Sequence, residues 1–312
     1  MSLLLLLSLV GMASSLSFGV IGCGTIASSI VTGLATCLQD EKGGAGGGGN
    51  SVTSTTGGVQ GLGASSPSMP LPGHFYVSSR SVSKSSALLE RFGPDVVTVS
   101  SDNQEIADKS SVLFLCVLPS QVPEVLEGLN LSEEKHTLIS LVSTSKLEQL
   151  VRLSKLPRSR VFKMMCLPSV ATRSGCCLIT PRSPPLEGLF TSLGGCVGCE
   201  TEEVMTKLSI PSCLMGPYYA MLKNTTDWLV SQGVPEKDAS YYVGKTYLGI
   251  AKDAEAHCDR PGHFDDLIAE QTPGGVNQQS ISNMHKLGVF KAYDKVMDAI
   301  LERLSGGGSG DL

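Results

Sequence analysis

The feature that most constrains the fold is a glycine turn that follows a short apolar run and opens a helical pattern. The run at 16–21 has the composition of a buried strand, and apolar residues recur on one helical face over 25–38. The turn between them reads Gly22-Cys-Gly24-Thr-Ile-Ala27. This pattern is typical of a βα unit that binds a dinucleotide: Gly22 permits the tight turn, Gly24 lets a pyrophosphate approach the backbone, and Ala27 keeps helix and strand close. The alternative is a glycine-containing turn that binds nothing.

Apolar runs and helical patterns alternate from this turn to about residue 200. The predicted strands cover 75–77, 96–99, 112–117, 137–142, 161–165, 176–180 and 195–199. The predicted helices cover 84–92, 103–109, 122–129 and 146–153. This alternation predicts an α/β domain over 16–200, a Rossmann-like doubly wound parallel sheet. Within it, 43–73 is largely Gly, Ser, Thr and Pro and is predicted to be a disordered insertion.

Beyond residue 200 the pattern is helical, so a second, all-helical domain is predicted over 201–304. Its predicted helices cover 202–208, 217–232, 237–258, 264–271 and 275–304, and a disordered tail is predicted at 305–312. A helical domain of this size buries much more apolar surface by pairing with a copy of itself. A homodimer or a higher homo-oligomer is therefore expected.

The end of the second predicted strand indicates which dinucleotide would bind. Enzymes that use NAD place Asp or Glu there for the ribose 2′-hydroxyl, whereas this chain reads Ser78-Ser79-Arg80-Ser81, followed by Lys84. An arginine beside hydroxyl groups suits a 2′-phosphate. The sequence thus predicts NADP(H) as cofactor, and the alternative is an arginine that is only solvated.

Charge, cysteine spacing and the chain start limit the other functions. A net charge of −5 without a basic block argues against a nucleic-acid partner. The ten cysteines are irregularly spaced, which indicates buried thiols in a reducing compartment rather than a metal site. The apolar segment 1–15 resembles a signal-peptide core, but it is too short to span a bilayer and no basic residue precedes Lys42. A cytoplasmic protein without membrane association is expected. The alternative is a secreted or organellar protein, if that segment is a targeting signal.

Several motifs, taken in order, resemble the pyrroline-5-carboxylate reductase family, whose members make proline with NADPH. In the N-terminal half the matching segments are Gly19-Val-Ile-Gly-Cys-Gly24, Ser79-Arg80, Asp102-Asn103 and Val112-Leu-Phe-Leu-Cys-Val-Leu-Pro119. In the C-terminal half they are Gly216-Pro217-Tyr-Tyr219, Gly233-Val-Pro-Glu-Lys-Asp238, Tyr247-Leu-Gly-Ile-Ala-Lys252 and Thr272-Pro-Gly-Gly275. The resemblance covers most of the chain outside the insertion and the two ends. The segment Leu118-Pro-Ser-Gln121 with Pro123 is more similar to a divergent branch of NADP-dependent oxidoreductase domain-containing proteins.

The resemblance implies a role for each matching position. The implied pyrophosphate contacts are Ile21, Gly22, Cys23, Gly24, Thr25, Ile26 and Ala27. Ser79 and Arg80 would face the 2′-phosphate, and Asn103 would contact the adenosine end. The implied nicotinamide edge is Cys116, Val117, Leu118 and Pro119. The implied substrate-binding residues are Thr272, Gly274, Gly275, Val276 and Asn277, in a turn whose N–H groups would bind a carboxylate. Family members form helix-swapped dimers, so this turn would complete the partner subunit's site.

The chain departs from the family pattern around the substrate. It has Val-Leu-Pro at 117–119 where the family has Val-Lys-Pro, and Cys-Leu-Pro-Ser-Val at 166–170 where the family has Met-Pro-Asn-Thr-Pro. It also has Cys-Leu-Met at 213–215 in place of Ser-Gly-Ser. Asn277 replaces a hydroxyl residue and is the candidate catalytic group, since its amide donates a hydrogen bond but cannot relay a proton.

The predicted function is NADPH-dependent reduction of the C=N bond of a cyclic imino acid to give L-proline. The alternatives are a reductase of another imine or keto acid, and an NADP-binding scaffold or sensor without catalysis.

Overall fold

The computed structural model describes residues 16–44 and 69–307, which form two compact units. The first unit contains 16–44 and 69–205, and the second contains 206–307. The predicted apolar segment 1–15 lies outside the described residues. So do 45–68 of the predicted insertion and 308–312 of the predicted tail.

The first unit is built on an eight-stranded sheet in the order β3-β2-β1-β4-β5-β6-β7-β8. The strands are β1 (Ser17–Ile21), β2 (His74–Ser78), β3 (Val97–Ser100), β4 (Val112–Leu115), β5 (Thr137–Ser140), β6 (Val161–Met165), β7 (Cys177–Thr180) and β8 (Cys196–Gly198). All neighbouring strands pair in parallel except β6 and β7, which are antiparallel. The predicted fold class is therefore confirmed, although β7 and β8 run opposite to the other six strands of the predicted parallel sheet.

Helices cover both faces of this sheet. They are α1 (Thr25–Gly44), α2 (Val82–Phe92), α3 (Asn103–Asp108), α4 (Val122–Glu127), α5 (Leu147–Ser154), α6 (Pro184–Thr191) and α7 (Glu202–Ser209), the last of which contains the boundary between the units. Helices α1, α2 and α6 contribute to one apolar cluster with Phe18, Phe75 and Phe114, and α3, α4 and α5 contribute to the cluster on the opposite face. Burial on both faces explains why the strands are continuous apolar runs.

The strand order reverses direction at β1. From β1 the chain moves through β2 to β3 on one side, then returns to place β4 on the other side of β1. In open α/β sheets, ligands bind at the carboxyl ends of the strands where the order reverses. The ends of β1 and β4 therefore define the position of the site.

The second unit is helical. Its helices are α8 (Met215–Ser231), α9 (Glu236–Glu255), α10 (His263–Ala269), α11 (Val276–Lys286) and α12 (Val289–Leu304). Large apolar side chains remain exposed on this unit, among them Trp228, Tyr241 and Ile250. Within the described residues, no helix is long and apolar enough to cross a membrane.

The structure corrects several expectations. The helix predicted over 275–304 is two helices, because Gly288 adopts a left-handed φ of +73° between them. Helix Pro184–Thr191 was not predicted. Residues 69–73 are ordered rather than part of a disordered insertion, since Met69 N–H donates to the carbonyl of Pro185. Residues 43–44 end helix α1, and 305–307 of the predicted tail form a hydrogen-bonded turn.

Replacement of Phe114 should destabilise the first unit strongly. Phe114 is 1% exposed, and its ring centroid lies 5.4 Å from that of Phe18 and 6.1 Å from that of Phe190. Phe114→Ala leaves a cavity at this junction and should lower the free energy of unfolding by about 3–5 kcal/mol, measured by chemical denaturation. The control Val82→Ala, at a side chain that is 69% exposed, should stay within about 0.5 kcal/mol of the parent. Equal effects of the two substitutions would contradict the assignment of the core.

Candidate functional site

The turn after β1 is fixed by a close approach to the end of β4. Gly22 has a φ of +87°, and a Cβ atom there would lie only 2.6 Å from the carbonyl oxygen of Cys116. The N–H of Cys116 donates to the carbonyl of Ile21 at 2.8 Å, which holds the two strand ends together. Glycine is therefore required at 22 on two grounds, the left-handed backbone and the absence of space.

The other motif positions make this turn a cradle for an anion. Gly24 is exposed, and a Cβ atom there would meet no heavy atom within 4 Å, so the backbone is open to a ligand. Ala27 is 2% exposed and packs against the sheet. The first N–H groups of helix α1 have no carbonyl within the helix to bond to, and the helix dipole favours a negative charge beside them. The turn fits a pyrophosphate group.

The end of β2 brings a cation and hydroxyl groups to the same edge of the sheet. The N–H of Ser79 donates to the carbonyl of Ser100 at 2.9 Å, and that of Arg80 to the Ser78 hydroxyl at 3.4 Å. Arg80 is exposed, and none of the ion pairs found in the described part of the chain involves it. Its guanidinium is available to an anionic ligand.

Asn103 lies at the first position of helix α3, next along this edge. The preceding residue, Asp102, caps the helix by accepting from the N–H groups of Gln104 at 2.8 Å and Glu105 at 3.3 Å. The half-buried Asn103 is therefore held at the carboxyl end of β3. This position borders the loop of Ser79 and Arg80, because β2 and β3 are neighbours.

The loop after β4 forms the other wall of the turn. Cys116 and Val117 are half-buried, while Leu118 is 66% exposed. The Leu118 N–H donates to Gln121 Oε1 at 3.3 Å and the Gln121 N–H donates to the Leu118 carbonyl at 2.9 Å. Pro119 begins the short 3₁₀ helix closed by these bonds, so the backbone that carries Leu118 is fixed.

The thiols in these two loops are neutral at physiological pH. Burial raises the pKa of Cys23 to about 11, although the Lys84 charge opposes this effect. Burial also raises the pKa of Cys116, and the neighbouring Cys166 and Cys23 add to the shift. Neither thiol has the lowered pKa of a nucleophilic cysteine. The described residues also contain no group of three or more metal-ligating side chains.

An ion pair that sequence reasoning missed holds the loop after β5. Lys163 in β6 is 8% exposed, and its Nζ donates to Glu202 Oε1 at 2.8 Å and to the Ser143 carbonyl at 3.1 Å. Glu202 also accepts from the N–H of Leu147 at 3.2 Å, so it caps helix α5. A lysine inside an apolar strand was the available signal, because a buried charge requires a partner.

The predicted substrate turn lies in the second unit and is exposed. Gly274 has a φ of +74°, and Gly275 is the N-cap of helix α11 without a side-chain cap. The first hydrogen bond into the helix runs from the Gln279 N–H to the Gly275 carbonyl, so the N–H groups at 276–278 have no partner within the helix. A shallow depression of about 380 Å³ is lined by Gly274, Gly275, Gln278, Gln279 and Ser282.

The side-chain amide of Asn277 is not free for the substrate contact that was predicted for it. Its Nδ2 donates to Gln271 Oε1 at 2.9 Å, so the amide that was expected to meet the substrate is engaged within its own turn. The structure brings the predicted cofactor residues together in the first unit. It brings Thr272, Gly274, Gly275, Val276 and Asn277 together in the second unit.

Comparisons with known proteins support both units. Residues 46–144 match the family described as NADP oxidoreductase coenzyme F420-dependent, and residues 203–306 match the pyrroline-5-carboxylate reductase dimerisation family. Pyrroline-5-carboxylate reductase of Escherichia coli is 24% identical over 242 residues, which cover 75% of this chain and 87% of that protein. The chain is therefore similar to pyrroline-5-carboxylate reductases along most of its length. Pyrroline-5-carboxylate reductase 2 of Rattus norvegicus is 28% identical over 68% of this chain and 64% of its own length.

Solved structures of pyrroline-5-carboxylate reductases share this fold. The enzyme from Coxiella burnetii has a TM-score of 0.70 at 18% identity, covering 95% of this chain and 99% of its own. The enzyme from Plasmodium falciparum, solved with NADP bound, has a TM-score of 0.63 at 15% identity, covering 94% of this chain and 100% of its own.

The chain is an NAD(P)H-dependent oxidoreductase that acts on CH–NH bonds, with NADP(H) as its cofactor. Its dimerisation domain indicates a homo-oligomer.

Gly22→Ala should abolish NADPH binding, because the added methyl group displaces the end of β4. Gly93 provides a matched control, since it also has a positive φ of +78° but a Cβ atom there would meet nothing within 4 Å. Titration with NADPH, followed by fluorescence or calorimetry, should give normal affinity for Gly93→Ala and none for Gly22→Ala. Retained affinity in Gly22→Ala would rule out this turn as the pyrophosphate site.

Arg80→Ala should reduce the preference for NADPH over NADH. A charge-assisted contact contributes about 1.5–3 kcal/mol, which corresponds to about ten-fold or more in affinity. The ratio of the two dissociation constants should fall by that factor, whereas Arg152→Ala, at an exposed arginine of helix α5, should leave it unchanged. An unchanged ratio in Arg80→Ala would assign the 2′-phosphate to another residue.

Proposed function

We propose that this protein reduces the C=N bond of a cyclic imino acid with NADPH and converts 1-pyrroline-5-carboxylate to L-proline. The observation that carries the proposal is the open backbone cradle at Gly22 and Gly24, placed where the strand order reverses and beside the cation Arg80. The similarity of the chain to pyrroline-5-carboxylate reductases supports the same reaction class.

The cofactor-binding residues of the proposal all lie in the first unit. Ile21, Gly22, Cys23, Gly24, Thr25, Ile26 and Ala27 hold the pyrophosphate. Ser79 and Arg80 hold the 2′-phosphate and Asn103 lies at the adenosine end, while Cys116, Val117, Leu118 and Pro119 border the nicotinamide. Bound NADPH supplies a hydride for the imine carbon.

The substrate carboxylate binds in the second unit in this proposal. The N–H groups at the start of helix α11 have no internal partner, and an anion beside a helix N-terminus is stabilised by those groups and by the dipole. Thr272, Gly274, Gly275, Val276 and Asn277 form the turn that receives it. The depression of about 380 Å³ over this turn has room for a small carboxylate.

Protonation of the imine nitrogen falls to water in this proposal. The Asn277 amide is a hydrogen-bond donor without a proton to relay, and in the structure it donates to Gln271. Asn277 therefore orients a water molecule or the substrate rather than acting as a general acid. The proposed oligomer is a homodimer, in which helical faces carrying residues such as Trp228 and Ile250 become buried.

The proposed location is the cytoplasm. The exposed Cys213 and Cys258 are free thiols. Free thiols persist in reducing compartments, whereas oxidising compartments favour disulfides.

A direct assay tests the proposed function. Purified full-length protein is mixed with NADPH and 1-pyrroline-5-carboxylate, reduced-nicotinamide absorbance is followed, and the product is separated on a chiral column. We expect absorbance to fall and L-proline to form, with no reaction for Gly22→Ala and normal reaction for Gly93→Ala. NADPH binding without turnover of any imine would contradict the proposal. Turnover of keto acids alone would assign the protein to another reductase class.

A further inference from the structure

We propose a further activity that rests on the proposed function: the site reduces cyclic imines whose C=N carbon carries an apolar substituent. The substituted substrate is a ketimine, and its reduction gives a secondary amine with the substituent retained. The loops after β1, β4, β5 and β6, here called the wall, begin without charged residues, and Leu118 protrudes from the loop after β4. This arrangement is the observation behind the proposal.

Charge is divided unequally along the carboxyl edge of the sheet. In the loops after β2 and β3, charged residues follow soon after the end of the strand, at Arg80, Lys84 and Asp102. The loops after β1, β4, β5 and β6 carry none until Asp40, Glu124, Lys146 and Arg173, respectively. The charged half suits the phosphate of the adenosine end, so the uncharged half faces the nicotinamide end and the substrate.

Some of the charges that follow these loops are paired with each other. Lys163 and Glu202 form an ion pair at 2.8 Å beneath the loop after β5, and Arg173 pairs with Asp40 at 2.9 Å. Burial raises the pKa of both Cys23 and Cys116, so these thiols add no charge at neutral pH. The first residues of these loops therefore present no charged side chain to a substituent of the substrate.

Leu118 gives the wall an apolar contact. Its side chain is 66% exposed, although the backbone beneath it is fixed by the two hydrogen bonds with Gln121. An apolar side chain at a fixed position beside a ligand site offers the ligand an apolar contact. The structure provides such a position at the end of β4, next to the Gly22 turn.

The reacting carbon is the part of the substrate that must approach this wall most closely. Hydride transfer requires the reacting atoms to lie about 3–3.5 Å apart, so a group attached to the imine carbon lies against the unit that holds the cofactor. The carbon gains a hydride, the C=N π electrons become a lone pair on nitrogen, and nitrogen gains a proton from water. NADPH is oxidised to NADP⁺, which balances the two electrons.

The test compares 1-pyrroline-5-carboxylate with 2-methyl-1-pyrroline-5-carboxylate, which differ only by a methyl group on the imine carbon. Purified full-length protein should reduce the methylated imine with kcat/KM at least one-tenth of that for the unsubstituted imine. A lower value would overturn the inference and leave the proposed function intact. Failure to reduce either imine would overturn both.

Variants of Leu118 test whether this side chain makes the contact. Leu118→Lys should lower the ratio of kcat/KM for the methylated over the unsubstituted imine about four-fold, as expected for loss of one buried carbon. Because both substrates carry the carboxylate, its attraction to the new lysine cancels in the ratio. Leu118→Met should retain the ratio, and so should Val197→Lys on the edge strand β8, where the parent valine is 42% exposed. An unchanged ratio in Leu118→Lys would overturn the inference.

Discussion

The site depends on the close approach between the turn after β1 and the end of β4. Only glycine fits at 22, because the carbonyl of Cys116 occupies the space of a side chain and the backbone φ is +87°. The hydrogen bond from the Cys116 N–H to the Ile21 carbonyl holds the approach in place. As a consequence, one point of the sheet is surrounded by the N-terminus of helix α1, the exposed Gly24 and the loop that carries Leu118. That point is also where the strand order reverses, so the topology and the local chemistry agree.

The division of charge along this edge follows the chemistry of the cofactor. A cation and hydroxyl groups gather after β2, at the proposed 2′-phosphate site, and the loops on the β4 side begin without charged residues. A neutral wall favours hydride transfer, because the reaction needs positioning and exclusion of water more than a titrating side chain. The raised pKa of Cys23 and of Cys116 preserves that neutrality at physiological pH.

Local sequence patterns predicted the parts of the fold that depend on local physics. The turn at 22–27, the strands up to β6 and the helical character of the second unit all follow from periodicity and from glycine positions. Strand direction does not follow from them, since an apolar run reads the same in parallel and antiparallel pairing. The reversed direction of β7 and β8 was therefore missed. The break at Gly288 was missed because the apolar period continues on both sides of it.

The sequence predicted the parts of the candidate site that lie within short motifs, but it did not predict the side-chain contacts that those residues make. The Lys163–Glu202 pair joins residues that are 39 positions apart, and the hydrogen bond from Asn277 to Gln271 depends on how one turn folds back. Neither contact leaves a periodic signal in the sequence. The roles of Asn277 and of the 272–277 turn are proposals, whereas the NADP(H) cofactor is supported by the match of residues 46–144 to an NADP oxidoreductase family.

Transfer of isotope from cofactor to product is a direct test of hydride transfer from NADPH to the imine carbon. Purified protein is supplied with 1-pyrroline-5-carboxylate and with NADPH that carries deuterium at both C4 positions, and the product is analysed by mass spectrometry after chiral separation. We expect L-proline with a single deuterium on the former imine carbon. Unlabelled proline, or no proline while the cofactor remains reduced, would contradict it.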